Sequence, residues 1–162
     1  MPTFETTRRV PFTAEEMFAV VADVERYPEF VPLCEALLVK ERFDGSTHSD
    51  LTAIMSVGYH AIRETFTSRV TLRPERKEID VVKIDGPFTR LSNHWRFRDV
   101  PGGSEVHFHI DYAFASRVLA VLMGAVFDRA VRKYAEAFEA RARSIHGTRA
   151  SAQQPSGSPS RR

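Results

Sequence analysis

Three polar side chains fall where strand alternation otherwise places oily residues. Between His60 and Leu72, a period of two sets Ile62, Glu64, Phe66, Ser68 and Val70 on one face. In the segment DGPFTRLSNHWRF, Asp85 to Phe97, Leu91, Asn93, Trp95 and Phe97 share a face, while Arg90, Ser92, His94 and Arg96 share the other. A carboxylate on an apolar face is costly unless it is paired or reached by water, and a buried amide needs a partner. Glu64, Ser68 and Asn93 are therefore candidates to meet the polar end of an otherwise apolar ligand. Phe66, Leu91, Trp95, Phe108 and Tyr112 would wall the cavity that holds it. The competing reading is a plain core, with Glu64 at a wet rim or on a bulge.

Other clusters point away from catalysis. His107, His109 and Asp111 recur every second residue, and pairing through Gly102-Gly103 brings His94 near His109. Two histidines and a carboxylate suit zinc, but these lie on the solvent side of a sheet and lack CxxC or HExxH spacing, so no metal is expected. Cys34 follows Pro32 at a strand start without a basic neighbour, which fits a buried structural thiol. No GxSxG, Walker loop or dinucleotide fingerprint occurs. No catalytic residue is assigned, and the expectation is a non-enzyme without a cofactor. The cyclase-like alternative would use Glu64 or Tyr112 as acid or base.

The chain has 162 residues, enough for one domain with a substantial core, and 43% apolar content is ordinary for a globular fold. Its net charge of +2 gives no footprint for DNA. Arg90, Arg96 and Arg98 line one strand face, but acidic residues interrupt most basic stretches, so a solvated face is the default. The single cysteine rules out an internal disulfide and fits a reducing compartment. Without a leader-like start or a membrane-length apolar run, the expectation is a cytoplasmic protein.

The elements that must position the polar trio follow from punctuation. Thr3 to Val10 reads as a strand. Thr13 caps a helix with Glu15 and Glu16 in its first turn. Tyr27 to Pro32 is a short helix or loop, broken by two prolines. Six strands are then expected at Leu33–Phe43, Thr47–Val57, His60–Leu72, Lys77–Ile84, Thr89–Asp99 and Ser104–Phe114, with turns at Asp44-Gly45, Gly58, Pro74, Gly86-Pro87 and Gly102-Gly103. From Ser116 to about His146 the period is helical, through Leu119, Leu122, Val126, Ala130, Tyr134 and Phe138. Residues 1–146 form the expected domain, and 147–162, rich in Ser, Pro and Gly, an expected disordered tail.

Consecutive hairpins make an antiparallel meander whose apolar face one long helix must cover, so the expected fold is α+β, a curved sheet of about seven strands wrapped around a C-terminal helix. Met55, Ile62, Leu122 and Val126 join the expected cavity wall. Alternate turns fall at one end of the sheet, gathering Phe30, Val31, Phe88 and Leu119 beside a helix start, VLAVLMGAVF, that is apolar nearly all round. That end is the expected mouth, where a long lipid tail would leave and where exposed residues would touch a membrane surface transiently.

These residues carry a family resemblance. VADVERYPEFVPLC (Val21 to Cys34), VGY (Val57 to Tyr59), ETFTSRV (Glu64 to Val70), DGPFTRLSNHWRF and VFDRAVRKYAEAFEARA (Val126 to Ala142) resemble the coenzyme Q-binding protein family, within the START-like, polyketide-cyclase-like helix-grip superfamily. The ribosome association toxin family is a close sister group that shares the YPxF-P-C, DGPF and W-x-F signatures; VGY looks more like the coenzyme Q-binding side. The resemblance implies the helix-grip fold and non-catalytic binding of ubiquinone or another isoprenoid lipid in support of respiration, next to the inner membrane. The sister group implies a ribosomal partner as the alternative.

Overall fold

The computed structural model describes residues 3–152, with side chains described as far as Gly147. Among them, β1 (Thr3–Val10), β2 (Cys34–Asp44), β3 (Ser49–Tyr59), β4 (Ile62–Arg73), β5 (Glu78–Asp85), β6 (Phe88–Val100) and β7 (Gly103–Phe114) form one antiparallel sheet in the order β1-β7-β6-β5-β4-β3-β2. Helix α1 (Ala14–Ala22) and a 3-10 turn at Val24–Glu29 link β1 to β2; α2 (Arg117–Arg132) and α3 (Tyr134–Ala152) follow β7. This is the helix-grip α+β fold expected from the meander.

Local chemistry explains most boundaries. The Thr13 hydroxyl accepts from the Glu16 N–H at 3.0 Å, and the Glu16 carboxylate accepts from the Thr13 N–H at 3.0 Å, closing a capping box on α1. The Ser116 hydroxyl accepts from the Leu119 N–H at 3.2 Å and starts α2. Gly86 at φ +141° and Gly102 at φ +89° make the β5–β6 and β6–β7 turns.

One turn is not where glycine placed it. Gly58 lies inside β3, opposite Arg63, and the chain reverses at His60-Ala61, with His60 at φ +57°. The missing Cβ of Gly58 makes room for the Glu35 carboxylate, which would lie 2.3 Å from an added methyl and which pairs with Arg63 at 3.0 Å. A glycine in a strand pattern signals close approach as readily as a turn.

The expected single helix is also corrected. It divides at Lys133, whose N–H donates to the Ala130 carbonyl at 3.0 Å, an i→i−3 bond that tightens the last turn of α2. Helix α3 then continues past His146 and Gly147 to Ala152, further than the expected end. The remainder of the expected tail, 153–162, lies outside the described residues.

The buried face of α2 presents Met123, Phe127, Ala130 and Val131, and α3 adds Phe138 and Ala142. Leu122, on the expected stripe, is 56% exposed. The first half of α2 is apolar on every side, so periodicity alone did not select the face that packs. On α3, Glu139 accepts from Arg8 of β1 at 2.6 Å, and Arg141 donates to Glu29 at 2.7 Å.

Candidate ligand cavity

Two clusters of aromatic rings divide the space between sheet and helices. In one, Phe88 packs on Phe66 at 5.4 Å, on Phe114 at 5.1 Å and on Phe127 at 5.5 Å between ring centres. In the other, Trp95 packs on Phe108 at 4.6 Å and on Phe138 at 5.0 Å, and Phe138 continues to Tyr27 and Phe30 at 5.1 Å each. A cavity of about 80 Å³ is lined by Phe66 and Phe127 of the first cluster and by Trp95, Phe138 and Tyr27 of the second, with Tyr134. Aliphatic groups of β2, β3, β4 and β5 complete the wall, and none of the lining residues is Asp, Glu, Lys, Arg or His.

The wall holds a few polar groups. Trp95 Nε1 donates to Asn93 Oδ1 at 3.0 Å, and Asn93 Nδ2 donates to the His109 carbonyl at 2.8 Å. The amide expected to need a partner thus finds the indole beside it and the backbone of β7. The Tyr27 hydroxyl donates to the Val21 carbonyl at 2.5 Å. Ser68, 4% exposed, and Tyr134, partly buried, also line the cavity. Burial pushes the Tyr27 and Tyr134 phenols above their ordinary range, so both stay protonated at neutral pH. The Cys34 thiol is pushed up to about 11 by burial, which makes it a structural thiol rather than a nucleophile.

Of the residues expected to line the cavity, Met55, Phe66, Leu91, Asn93 and Trp95 do so, and Val31 joins them although it was expected at the mouth. Phe108 and Tyr112 are buried behind the wall, Phe108 under Trp95 and Tyr112 against Phe127 at 4.7 Å. Val126 is partly buried and does not reach the cavity; its neighbour Phe127 does. Ile62, Glu64, Leu119 and Leu122 line a separate surface groove at the start of α2. Glu64 thus takes the rim position that was its alternative reading. Phe30 and Phe88 do not meet at one mouth: Phe30 stacks beneath the Arg141 guanidinium at 5.0 Å, and Phe88 is 3% exposed in the other ring cluster. The exposed apolar side chains near the groove are instead Val118, Val121 and Leu122. Tyr27, Tyr134, Phe127 and Phe138 were not anticipated at the cavity; Tyr134 and Phe138 did stand on the expected helical stripe.

On the opposite sheet face the histidines and carboxylates are held by polar partners. His107 pairs with Glu5 at 2.9 Å, Asp111 with Arg90 at 2.7 Å, and His94 with Asp80 at 2.6 Å. Partial burial opposes the Asp80 charge, but hydrogen bonds from His94 and Arg73 outweigh it and hold that carboxyl below its ordinary range.

A curved sheet gripping C-terminal helices around an uncharged, ring-walled cavity defines a START-like protein. Residues 10–139 match the family described as polyketide cyclase / dehydrase and lipid transport, and the chain belongs to that family. It is 32% identical over 150 residues to the ribosome association toxin RatA of Escherichia coli K12, covering 92% of each chain. It is 28% identical over 149 residues to the mitochondrial coenzyme Q-binding protein COQ10 of Dictyostelium discoideum, covering 90% of this chain and 71% of that one. The solution structure of the 18 kDa protein CC1736 from Caulobacter crescentus superposes with a TM-score of 0.74 at 36% identity, over 91% of this chain and 99% of that one. Among the described residues, no helix is long and apolar enough to cross a membrane.

Proposed function

We propose that this protein binds a neutral isoprenoid lipid of the ubiquinone class in the cavity and carries or presents it without transforming it. The observation that carries the reading is the cavity wall: aromatic and aliphatic, with hydrogen-bonding groups but no ionisable carboxylate, amine or imidazole. Acid–base chemistry near neutral pH needs a group that titrates there, and the phenols present are held protonated. The similarity to COQ10 points to the same ligand class.

At about 80 Å³ the cavity is below the roughly 300–1,000 Å³ of sites that enclose drug-sized ligands. Uptake of a quinone ring therefore requires the two ring clusters to part. A long tail would extend outward, and the exposed Val118, Val121 and Leu122 on α2 supply an apolar surface for transient membrane contact beside the inner membrane. The test is mass spectrometry of organic extracts from gently purified protein, with titration of a short-chain ubiquinone followed by Trp95 fluorescence. A co-purifying isoprenoid quinone and a saturable Trp95 response are expected. Extracts free of isoprenoids together with a flat titration would refute the reading.

The 32% identity to RatA favours a second reading, contact with the ribosome. Binding through phosphates would appear as salt-sensitive co-sedimentation with ribosomal subunits. Absence of co-sedimentation at low salt removes it.

A further inference from the structure

Most polar groups on the cavity wall are satisfied by the protein: the Trp95 indole by Asn93, the Asn93 amide by the His109 carbonyl, and the Tyr27 hydroxyl by the Val21 carbonyl. Two are not. The Ser68 hydroxyl, on a residue 4% exposed in the middle of β4, has no hydrogen-bond partner among the described residues, and neither has the Tyr134 hydroxyl at the first turn of α3. Both residues line the same cavity. Neither hydroxyl is walled off as the unpaired Ser104 Oγ is; both line an open space, where a ligand atom can supply the hydrogen bond that the protein does not.

Building on the quinone-class reading, we propose that Ser68 and Tyr134 are the specificity-determining residues of the cavity, donating hydrogen bonds to an uncharged, carbonyl-type acceptor on the ligand head. The wall sets the polarity of that head. It offers two free hydroxyls, each able to donate, and the second N–H of Asn93, which can only donate, so a group that accepts is the one complement that meets all three. It offers no cation, so an ionised carboxylate or phosphate placed there would remain an uncompensated buried charge. A quinone or other ketone satisfies both conditions; an ionised fatty acid and a phospholipid head satisfy only the first. Asn93, held by Trp95 and the β7 backbone, is pre-oriented to assist.

Three probes test this on the full chain at pH 8: decylubiquinone, dodecylbenzene, which has a similar apolar body without oxygen, and palmitate. Wild type should bind decylubiquinone more tightly than either of the others. Ser68→Ala and Tyr134→Phe each delete one oxygen. Each should weaken decylubiquinone by roughly 3- to 10-fold, leave dodecylbenzene unchanged, and leave the thermal midpoint of the unliganded protein the same or higher. Undiminished decylubiquinone affinity in both variants overturns the proposal, as does an equal loss for dodecylbenzene. Palmitate binding as tightly as decylubiquinone to wild type overturns it without any variant. Wild type that binds none of the probes removes the quinone-class reading itself, which separates the two failures.

Discussion

Gly103 sets the approach of β7 to the end of β1. A Cβ built there would lie 1.9 Å from the Val10 carbonyl oxygen and 3.0 Å from the Pro11 Cα, both backbone, so neither can swing aside. Gly103→Ala should cost about 3 kcal/mol or more, measured as a fall in the urea midpoint at unchanged slope; a loss within experimental error would show that the strand end yields. Cys34 makes a prediction of the opposite kind, about pH. Its folded pKa, about 11, lies above the ordinary thiol value. The stability gained by keeping it protonated is full below about pH 8.5 and is lost as pH rises toward the folded value. Iodoacetamide labelling of folded protein at pH 8 should be slow, and Cys34→Ala should decline less steeply in stability between about pH 9 and 11. Rapid labelling of the native protein would contradict this account.

At the scale of elements, α2 and α3 share one helical run but are held differently. Helix α3 is tied by Glu139 to β1, by Arg141 to the 3-10 turn and by Phe138 to Trp95. Helix α2 is held largely by Phe127, which meets Phe88, Tyr112 and Phe114. Phe127→Ala should therefore cost about 3–5 kcal/mol, whereas Leu122→Ala, one turn earlier on the exposed side, should stay within about 0.5 kcal/mol. Comparable losses for both, read by thermal or urea unfolding, would mean that α2 packs with the other face inward.

For the whole molecule, ligand binding and stability are linked. A ligand that occupies only the folded cavity at about 100 times its Kd adds about 2.7 kcal/mol. Decylubiquinone should thus raise the thermal midpoint in a concentration-dependent way and change Trp95 emission over the same range. A fluorescence change without a shift in midpoint would place the probe elsewhere than the native cavity. Because the rings of both clusters border a space smaller than a quinone head needs, binding should be slower than diffusion-controlled encounter, which stopped-flow Trp95 fluorescence measures.

Much of this architecture was legible in the sequence, because alternation and capping are local. The consecutive pairing of β2 to β7, the facing of Leu91, Asn93 and Trp95 into the interior, and the Thr13 cap all follow from residues near one another in the chain. So does the placing of His94, His107 and Asp111 on the wet face, where Asp80, Glu5 and Arg90 partner them. The pairing of β1 with β7, by contrast, joins residues as far apart as Thr3 and Asp111. Local pattern was silent or misleading where two answers satisfied it. Gly58 fitted a turn or a close approach, and Glu35, distant in sequence, decided between them. The VLAVLMGAVF segment had no polar side to define its dry one, so Phe127 rather than Val126 reaches the cavity only because the sheet selects that face. The division at Lys133 carries no proline or glycine to announce it. Whether a hydroxyl is paired is likewise not a property of its own strand or helix. Tyr27 finds the Val21 carbonyl six residues away, while Ser68 and Tyr134, brought to one cavity from β4 and α3, find none. Hydrogen-bond satisfaction depends on what packing places within about 3 Å, and only the tertiary structure makes that choice.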